Sequence, residues 1–447
     1  MMQTRLAIIG AGFSGAVLSA QLARRGRASP SILLIERRRR FGPGLAYSTG
    51  SPAHLLNVRA ANLSAFPEAP DHFVRWLQAR GVEQARTCFA PRAQYGAYIE
   101  HVLRKAQSPF GPRLLRTRGS VVRCTPSGGR WRLSLDTGRM LDADAVVLAL
   151  GNAAPASPPV FLAAGAPLLD PWDDKTLRRI PAGDVLLLGT GLTAVDAALS
   201  LARTRRMGVI YALSRRGQLP QPHRETVTPL TPLSLDLPLP LSEALLVLRK
   251  EAQAAASRGE PWQHVVDQLR ARTPELWRRL PTESKQRFLR HLRPWWDSHR
   301  HRMAPEIAAQ ISALRRAGRL CVLVGDTTHV EAAGKTTRVR YRERGSAVSH
   351  HLEVAGVVNC TGAAMDLSVS GDPLIRQVFE DGIVRAPEAG IGMEVDEGGR
   401  VRRADGAVWN NLFALGPITQ GVFWESTAVP EVRAQAEALA VRLVPDR

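Results

Sequence analysis

Cysteine is scarce in this sequence of 447 residues, and no two cysteines stand close together. Zinc ribbons and redox-active disulfide reductases need paired cysteines at short spacing, so both classes are excluded. His299 and His301 form an isolated HxH without a third ligand, so we expect no metal site. We expect free, buried thiols at all four cysteines, which are Cys88, Cys124, Cys321 and Cys360.

Long uncharged apolar runs are also missing. No stretch approaches the roughly 20 residues that a membrane-spanning helix needs. The apolar run over residues 6–22 is similar to a signal peptide, but it contains three glycines and no basic region precedes it. We therefore expect a soluble, cytoplasmic protein without a membrane partner.

Lysine is nearly absent, with 5 lysines against 55 arginines, and the net charge is +20. Such a charge raises the question of nucleic-acid binding. The arginines, however, are spread along the whole chain with one dense run at Arg37–Arg40, and no aromatic-interleaved stripe accompanies them. We expect no nucleic-acid partner, and we expect the arginine excess to favour small anionic ligands.

The chain begins with a dinucleotide-binding pattern. A strand is predicted over Arg5–Ile9, a helix follows directly, and a second strand over Ser31–Ile35 ends in an acid. The glycines allow a tight turn, close approach of a pyrophosphate and packing of helix on strand, and the acid can accept ribose hydroxyls. The pattern predicts the adenosine half of FAD or NAD, held by Gly10, Gly12, Phe13, Ser14, Gly15, Glu36 and Arg37.

A second pattern of the same kind occupies the middle of the chain. A strand over Asp184–Leu188 precedes a glycine turn and a helix over Val195–Ala202, and the strand Gly208–Leu213 ends in arginines instead of an acid. A guanidinium can pair with a 2'-phosphate, which favours NADPH over NADH, although the arginines could also stack on adenine or face solvent. The predicted NAD(P) residues are Gly189, Gly191, Leu192, Thr193, Arg215 and Arg216.

The remaining segments fit an α/β protein with two Rossmann-like dinucleotide-binding domains and a helical insertion. Apolar strands within 143–152 and 355–364 are expected to close the two domains. The insertion follows prolines between 220 and 240 and shows helical spacing over Ser242–Ala256, Trp262–Arg272, Thr282–Trp296 and Pro305–Arg316. The predicted parts are 1–152 and 365–447 for FAD, 153–218 and 319–364 for NAD(P), and 219–318 for the insertion.

The C-terminal segment predicts a further FAD contact. A strand over Asn411–Leu415 is followed by a turn at Gly416 and by a helix that runs to about Leu443. The positive start of that helix could stabilise negative charge on a reduced flavin. We predict this role for the backbone around Ser426 and Thr427, with an ordinary capped helix as the alternative.

The segments together resemble the FAD/NAD(P)-binding flavoprotein family that includes a bacterial urate hydroxylase and an amino-acid N-hydroxylase. The resemblance covers nearly the whole chain and implies FAD and NAD(P)H as cofactors, molecular oxygen as co-substrate, and a FAD contact at Asn57. It rests on GAGFSG at 10–15, Glu36, FGPGLAY at 41–47, HLLNV at 54–58, DPW at 170–172, GTGLT at 189–193, the cluster 295–302 and the tail 416–431.

The expected reaction passes hydride from nicotinamide to flavin, and the reduced flavin then activates oxygen as a C4a-hydroperoxide. The cofactors supply the difficult chemistry, which accounts for the absence of GxSxG, HExxH and paired-carboxylate motifs. An electron-rich anionic small molecule is the expected substrate. Urate, converted to 5-hydroxyisourate in purine degradation, is preferred because it needs no base to deprotonate an amine, and no such base is evident in the sequence.

Two rival interpretations remain open: an amino-acid N-hydroxylase, and a FAD/NAD(P)H-binding redox sensor or scaffold without productive hydroxylation. The oligomeric state is left open. Arginine forks suit planar anions, so the candidate substrate clamps, each with an ordinary surface salt bridge as its alternative, are Arg59, Arg92, Arg300 and Arg302.

Overall fold

The computed structural model describes residues 4–107, 113–204, 208–224 and 240–444. Within the predicted proline-rich entry to the insertion, Pro229, Pro232 and Pro238 lie outside the described residues. Among the helices of the described ranges, none has both the length and the apolar character needed to cross a bilayer.

The strands of the described residues fall into three sheets. In chain order they are β1 (Arg5–Ile9), β2 (Ser31–Glu36), β3 (Leu114–Arg118), β4 (Val121–Ser127), β5 (Arg130–Leu135), β6 (Met140–Ala143), β7 (Ala145–Leu148), β8 (Val185–Leu188), β9 (Ile210–Ser214), β10 (Leu320–Ala333), β11 (Thr336–Glu343), β12 (Ser349–Val354), β13 (Gly356–Asn359), β14 (Arg400–Arg402) and β15 (Val408–Ala414).

The helices surround these sheets. In chain order they are α1 (Phe13–Arg24), α2 (His72–Gln78), α3 (Arg92–Lys105), α4 (Pro159–Ala163), α5 (Asp174–Arg179), α6 (Leu192–Ala202), α7 (Leu241–Ser257), α8 (Gln263–Arg279), α9 (Thr282–Arg287), α10 (Arg293–Arg300), α11 (Pro305–Arg316), α12 (Pro373–Glu380) and α13 (Val429–Leu443).

The first sheet joins the two ends of the chain. Its order is β14-β15-β7-β1-β2-β3, parallel except for β14. Ala7 of the central strand β1 pairs with Leu33 on one side and Val146 on the other. Buried apolar residues fill β1, β2 and β7, as expected for parallel strands covered on both faces. Helices α1, α3 and α13 cover one face, and α12 with the small sheet β4-β5-β6 covers the other.

The second sheet has the order β12-β11-β10-β9-β8-β13. Its strands β13, β8, β9 and the first part of β10 run parallel, and the rest of β10 continues into an antiparallel hairpin with β11 and β12. Helices α6 and α11 pack on one face. Two parallel-sheet domains in one chain are the arrangement that the two glycine patterns predict.

The insertion differs from its prediction in three respects, the first being that α8 continues to Arg279 instead of ending at Arg272. The segment predicted as one helix over Thr282–Trp296 is α9, a π-helical turn at Phe288–Leu292, and α10. Pro294 lacks the amide hydrogen that would bond the carbonyl of Arg290, which disfavours a regular helix there, and α10 starts afresh with this proline in its first turn. In addition, α11 packs in the core of the second domain, whereas the other four helices form the insertion proper.

Candidate cofactor and substrate site

The first glycine turn has room for no side chain at two positions. Gly10 has φ +98°, and a Cβ atom there would lie 2.3 Å from the carbonyl oxygen of Ala149. At Gly15, a Cβ atom would lie 2.0 Å from the carbonyl oxygen of Gly10. These two glycines allow the turn and the packing of α1 on β1 that the sequence predicts.

The start of α1 suits a phosphate group. The helix begins after Gly12 without a side-chain cap, so its amides and its positive end are available to an anion. A Cβ atom at Gly12 would lie 3.3 Å from the Cα atom of Gly44. The loop that carries Gly42 and Gly44 therefore covers the turn closely, and Gly42 donates its amide to the carbonyl of Ala11 at 2.7 Å.

Glu36 is buried at the end of β2 and held in a fixed orientation. One carboxylate oxygen accepts a hydrogen bond from the Ala11 amide at 2.8 Å, and the other accepts one from the Arg38 amide at 2.8 Å. This places an acid beside the turn, where ribose hydroxyls of a bound adenosine would lie. Arg37 is exposed instead and pairs with Asp372 at 2.8 Å.

The C-terminal segment returns to the same turn. Gly416 has φ +81°, and a Cβ atom there would lie 2.5 Å from the Ser14 hydroxyl. The carbonyl of Asn57 accepts a hydrogen bond from His223 at 2.8 Å. The structure thus brings Gly416 to the first glycine turn. It places the Asn57 backbone at the contact with the second half of the chain.

The helix predicted to begin near Ser426 and Thr427 begins at Val429. The two residues lie in a turn whose amides are already used, since Ser426 donates to the carbonyl of Phe423 and Thr427 to that of Glu425. Neither amide is therefore free for a flavin, contrary to the sequence-based assignment. Ser426 contributes instead a buried hydroxyl that has no hydrogen-bond partner among the described residues.

The second glycine turn faces a cavity of about 410 Å³, a size typical of small-molecule sites. Gly189 has φ +112°, and Gly191 begins α6 without a side-chain cap. No atom lies within 4 Å of a Cβ atom at Gly191. Leu192 and Thr193 line the cavity as well. A phosphate could reach the start of α6 from this cavity.

Three guanidinium groups meet where the 2'-phosphate of NADPH is predicted. Arg215 and Arg216 line the cavity, and Arg344 donates to the carbonyl of Arg215 at 3.3 Å. Desolvation, with the charges of Arg344 and Arg215, lowers the pKa of Arg216. Within the described ranges, no carboxylate forms an ion pair with any of the three, so the cluster is ready to receive an anion.

The cavity lies between the two halves of the chain. The residues after the closing strands β7 and β13 form part of its wall. Gln218 also lines the cavity, and its buried side-chain oxygen has no hydrogen-bond partner among the described residues. The FAD half contributes Pro417, Ile418, Gln420 and Thr427. The insertion contributes one face of α10 and the residue that ends it, namely Arg293, Pro294, Asp297, Ser298 and His301.

Two of the predicted anion clamps hold the domains together. The Arg92 guanidinium is mostly buried, lies 2.8 Å from Asp196 of α6 and donates to the carbonyl of Leu55 at 3.1 Å. Arg59 donates to the carbonyl of Thr87 at 2.7 Å and, across to the second half of the chain, to the carbonyl of Arg224 at 2.5 Å. Their donors are engaged in protein contacts, and neither residue lines the cavity.

The other two predicted clamps are buried at the end of α10, Arg300 as its last residue and Arg302 just after it. Arg300 forms an ion pair with Glu425 at 2.9 Å, and Arg302 forms one with Asp267. Arg293, which the sequence analysis did not select, is the arginine that α10 turns toward the cavity.

The cysteines and histidines show no metal-binding arrangement in the described part of the chain. The four cysteines are free thiols, and Cys124 and Cys360 are buried. Burial raises the pKa of the Cys124 thiol to about 12, so this thiol is unreactive at neutral pH. His299 packs against Trp262 and contacts the carbonyl of Trp295 at 2.8 Å.

Comparisons with known proteins agree with this geometry. Residues 7–153 match a family described as FAD-NAD(P)-binding. A search of curated protein sequences finds no match. The predicted fold class, a two-dinucleotide-binding flavoprotein, and FAD and NAD(P)H as its cofactors are confirmed.

Solved structures extend the likeness to the whole chain. An ornithine hydroxylase from Pseudomonas aeruginosa is 15% identical over 99% of both chains, with a TM-score of 0.69. An ornithine N-hydroxylase from Kutzneria sp. 744, described with reduced FAD, NADP+ and L-ornithine, is 18% identical over 99% of both chains, with a TM-score of 0.65. A cadaverine monooxygenase from Erwinia amylovora, bound to FAD, is 12% identical with a TM-score of 0.68. The match covers 100% of this chain and 95% of that one.

The site residues that the sequence analysis missed belong to elements far apart in the chain. Arg344 follows β11 and meets Arg215 only because β10 continues into the hairpin. Asp297 and His301 carried one usable signal, since a spacing of four residues puts two side chains on the same helix face.

Proposed function

We propose that this protein is a FAD-dependent monooxygenase that uses NADPH and molecular oxygen to N-hydroxylate a small amine, such as an amino acid. The observation that carries the proposal is the cavity that joins the second nucleotide turn to the C-terminal part of the FAD domain. A nicotinamide and a flavin that meet in one cavity can exchange hydride, and the flavin supplies the chemistry that activates oxygen.

The chain's own residues would bind the cofactors, orient them and enclose the cavity. The uncapped starts of α1 and α6 would hold the phosphate groups of FAD and NADPH, and Glu36 would orient the FAD ribose. The arginines beside β9 would bind the 2'-phosphate. Helix α10 forms one wall of the cavity, and Arg293, whose Nε lies 3.2 Å from Asp297, would offer its other guanidinium nitrogens to a substrate carboxylate.

The cysteines argue against a disulfide reductase, a class that can share such nucleotide domains. A reductase needs two neighbouring thiols near the flavin, whereas the four cysteines here stand far apart in sequence and Cys124 and Cys360 are buried. Oxygen and a small molecule are therefore the better acceptors of the reducing equivalents.

The choice of an amine over urate rests on the comparisons. The three solved structures named above are described as hydroxylases of ornithine or a monooxygenase of cadaverine, and none of the three is described as acting on urate. The alternative of an N-hydroxylase thereby becomes the main proposal, and the urate interpretation, preferred from sequence, becomes the competitor to be tested beside it.

The test is a coupled assay on the purified protein loaded with FAD. NADPH oxidation and product formation are measured with L-ornithine, L-lysine, cadaverine and urate, under ¹⁸O₂. We expect one of the amines to accelerate NADPH oxidation and to yield an N-hydroxylated product that carries one labelled oxygen atom. If only urate yields a product, urate instead of an amine is the substrate.

NADPH oxidation at one slow rate with every compound would contradict the proposal. That result would favour the redox sensor or scaffold. Oxygen reduction without an oxygenated product is the behaviour that distinguishes the two, so the product has to be quantified beside the NADPH consumed.

A further inference from the structure

N-hydroxylation has a requirement that the proposed function leaves unmet. A primary amine of ordinary pKa near 10 is an ammonium ion at neutral pH, and an ammonium nitrogen has no lone pair with which to attack oxygen. The protein must therefore remove a proton from the substrate nitrogen. The following inference rests on the proposed function, since only an amine substrate needs such a base.

Helix α10 turns two ionisable side chains and a cation toward the cavity. Arg293, Asp297 and His301 follow one another at four-residue intervals along the cavity-lining face. The Nε2 atom of His301 lies 3.9 Å from Oδ1 of Asp297, and Nε of Arg293 lies 3.2 Å from the other oxygen of the same carboxylate. His301 is partly exposed, with a side-chain exposure of 29%.

We propose that His301, oriented and balanced in charge by Asp297, accepts the proton of the substrate ammonium group and later returns it to the oxygen atom that leaves as water. Imidazole is the side chain that ordinarily changes charge between pH 5 and 8, so it can act in both directions near neutrality. Asp297 is a positioning residue, and Arg293 is left to bind the other end of the substrate.

The reaction balances with this relay. The N–H bond of R–NH₃⁺ breaks, its proton moves to the imidazole, and the electron pair stays on nitrogen. Nitrogen then forms the N–O bond while the O–O bond breaks, and it gives up its second proton. The hydride of NADPH supplies two electrons and a proton, and these two protons with that of the imidazolium complete the hydroxyl group and the water. In sum, R–NH₃⁺, O₂ and NADPH give R–NHOH, H₂O and NADP⁺ with no net uptake of protons.

The charges around His301 permit this role. Desolvation raises the pKa of Asp297, and the neighbouring His301 and Arg293 oppose that rise, so a cation at residue 301 helps to keep the carboxylate ionised. The charged groups that face His301 from its own helix, the next turn, the C-terminal segment and across the cavity are Arg293, Asp297, Arg300, Arg302, Glu425, Arg215 and Arg216.

The experiment compares pH–rate profiles from about pH 6 to about pH 9 for the wild type and His301→Gln, with the amine that the wild type hydroxylates best. At neutral pH we expect His301→Gln to lose hydroxylated product about 100-fold. Its residual rate should rise about tenfold per pH unit as the free amine fraction grows, whereas the wild type should level off above neutrality. Imidazole added to His301→Ala should restore product.

Two readings show whether the variants are intact. FAD content and the melting temperature do not depend on a proton acceptor for the amine, so both should stay at the wild-type value in His301→Gln. Asp297→Asn should lower product less and move the acid limb of the profile to lower pH, because a carboxylate that favours the imidazolium is lost. His299→Gln is the matched control, since this histidine lies on α10 but packs on Trp262.

The outcomes separate the two proposals. If the wild type hydroxylates none of the amines, the proposed function fails. If it forms the product and His301→Gln keeps the wild-type profile, only the proton relay is overturned. A loss of product in His301→Gln that neither higher pH nor, in His301→Ala, imidazole relieves would show a structural role and would also overturn the relay.

Discussion

The two glycine turns of this chain share their first position and differ at the second. At Gly10 and at Gly189 a Cβ atom would lie 2.3 Å and 2.4 Å from the carbonyl oxygen that follows the closing strand. At the second position, however, Gly44 covers Gly12, whereas a Cβ atom at Gly191 would have no atom of a non-neighbouring residue within 4 Å. One turn is enclosed by protein and the other opens to a cavity.

This difference suits two cofactors with different tasks. A nucleotide enclosed by the loop around Gly44 can stay bound through many turnovers, while one that enters from the open cavity can exchange in each cycle. We therefore expect FAD to remain with the protein on dialysis and NADP⁺ to dissociate.

The largest effect is expected from Gly12→Val. The added side chain would occupy the space where the pyrophosphate approaches, and its Cβ atom alone already lies 3.3 Å from Gly44. We expect the Kd for FAD to rise at least 1,000-fold, roughly 4 kcal/mol of binding, so that the purified variant holds almost no flavin, and we expect a lower melting temperature. Flavin absorbance per protein and thermal unfolding measure the two effects, and a variant that stays fully yellow would contradict the first site.

Gly191→Val sharpens the comparison because it should act on one cofactor only. The backbone at Gly191 has φ −76°, which any residue can adopt, and the surrounding space is open. Folding and FAD content should stay unchanged, while the Kd for NADPH should rise on the order of 100-fold. Titration of NADPH by fluorescence measures this. Loss of FAD in the same variant would show that the two sites are not separable in this way.

Arg215→Glu tests the difference between the two strand ends, where β2 places an acid and β9 an arginine. A charge-assisted hydrogen bond contributes about 1.5–3 kcal/mol, so we expect NADPH binding to weaken about tenfold or more and NADH binding to change little. The matched control is Arg340→Glu, an exposed arginine on β11 away from the cavity lining. Equal losses of affinity for NADPH and NADH would contradict a contact between Arg215 and the 2'-phosphate.

The sequence was sufficient where structure depends on short spacing. The strand β1, the start of α1 and the second turn follow directly from glycines and apolar residues within one stretch, and β1 has its predicted bounds. Contacts between distant segments were not predictable in this way. Arg92 was a candidate substrate clamp with a salt bridge as its alternative, and the structure pairs it with Asp196 of α6. No local pattern contains that contact.

Helix faces and helix ends were the other difficulty. His301 was visible as part of an HxH pair, but only the orientation of α10 shows that it faces the cavity while His299 faces Trp262. At the C-terminus, the backbone of Glu425 has φ +75° and turns the chain before the helix can start. A positive φ at a non-glycine residue has no sequence signature, so the helix start was placed too early.

The smallest effect concerns the contact between the two halves. His223 donates from Nε2 to the carbonyl of Asn57 at 2.8 Å, and desolvation, with the charge of Arg302, lowers its pKa to about 4. In the unfolded chain the imidazole takes up a proton below about pH 6.5, whereas in the folded chain it does so only below about pH 4. The stability that this histidine contributes is therefore lost as the pH falls from about 6.5 to about 4.

His223→Gln should remove that part of the pH dependence, because a glutamine amide can donate to the same carbonyl and does not titrate in this range. At neutral pH we expect an unfolding midpoint in urea close to that of the wild type, and near pH 5 a smaller decrease than the wild type shows. His329→Gln, at an exposed position on β10, is the matched control and should follow the wild type. Parallel curves for His223→Gln and the wild type would mean that the contact between the halves does not depend on a neutral His223, and the two nucleotide domains would then have to be held in register by other pairs, foremost Arg92 and Asp196.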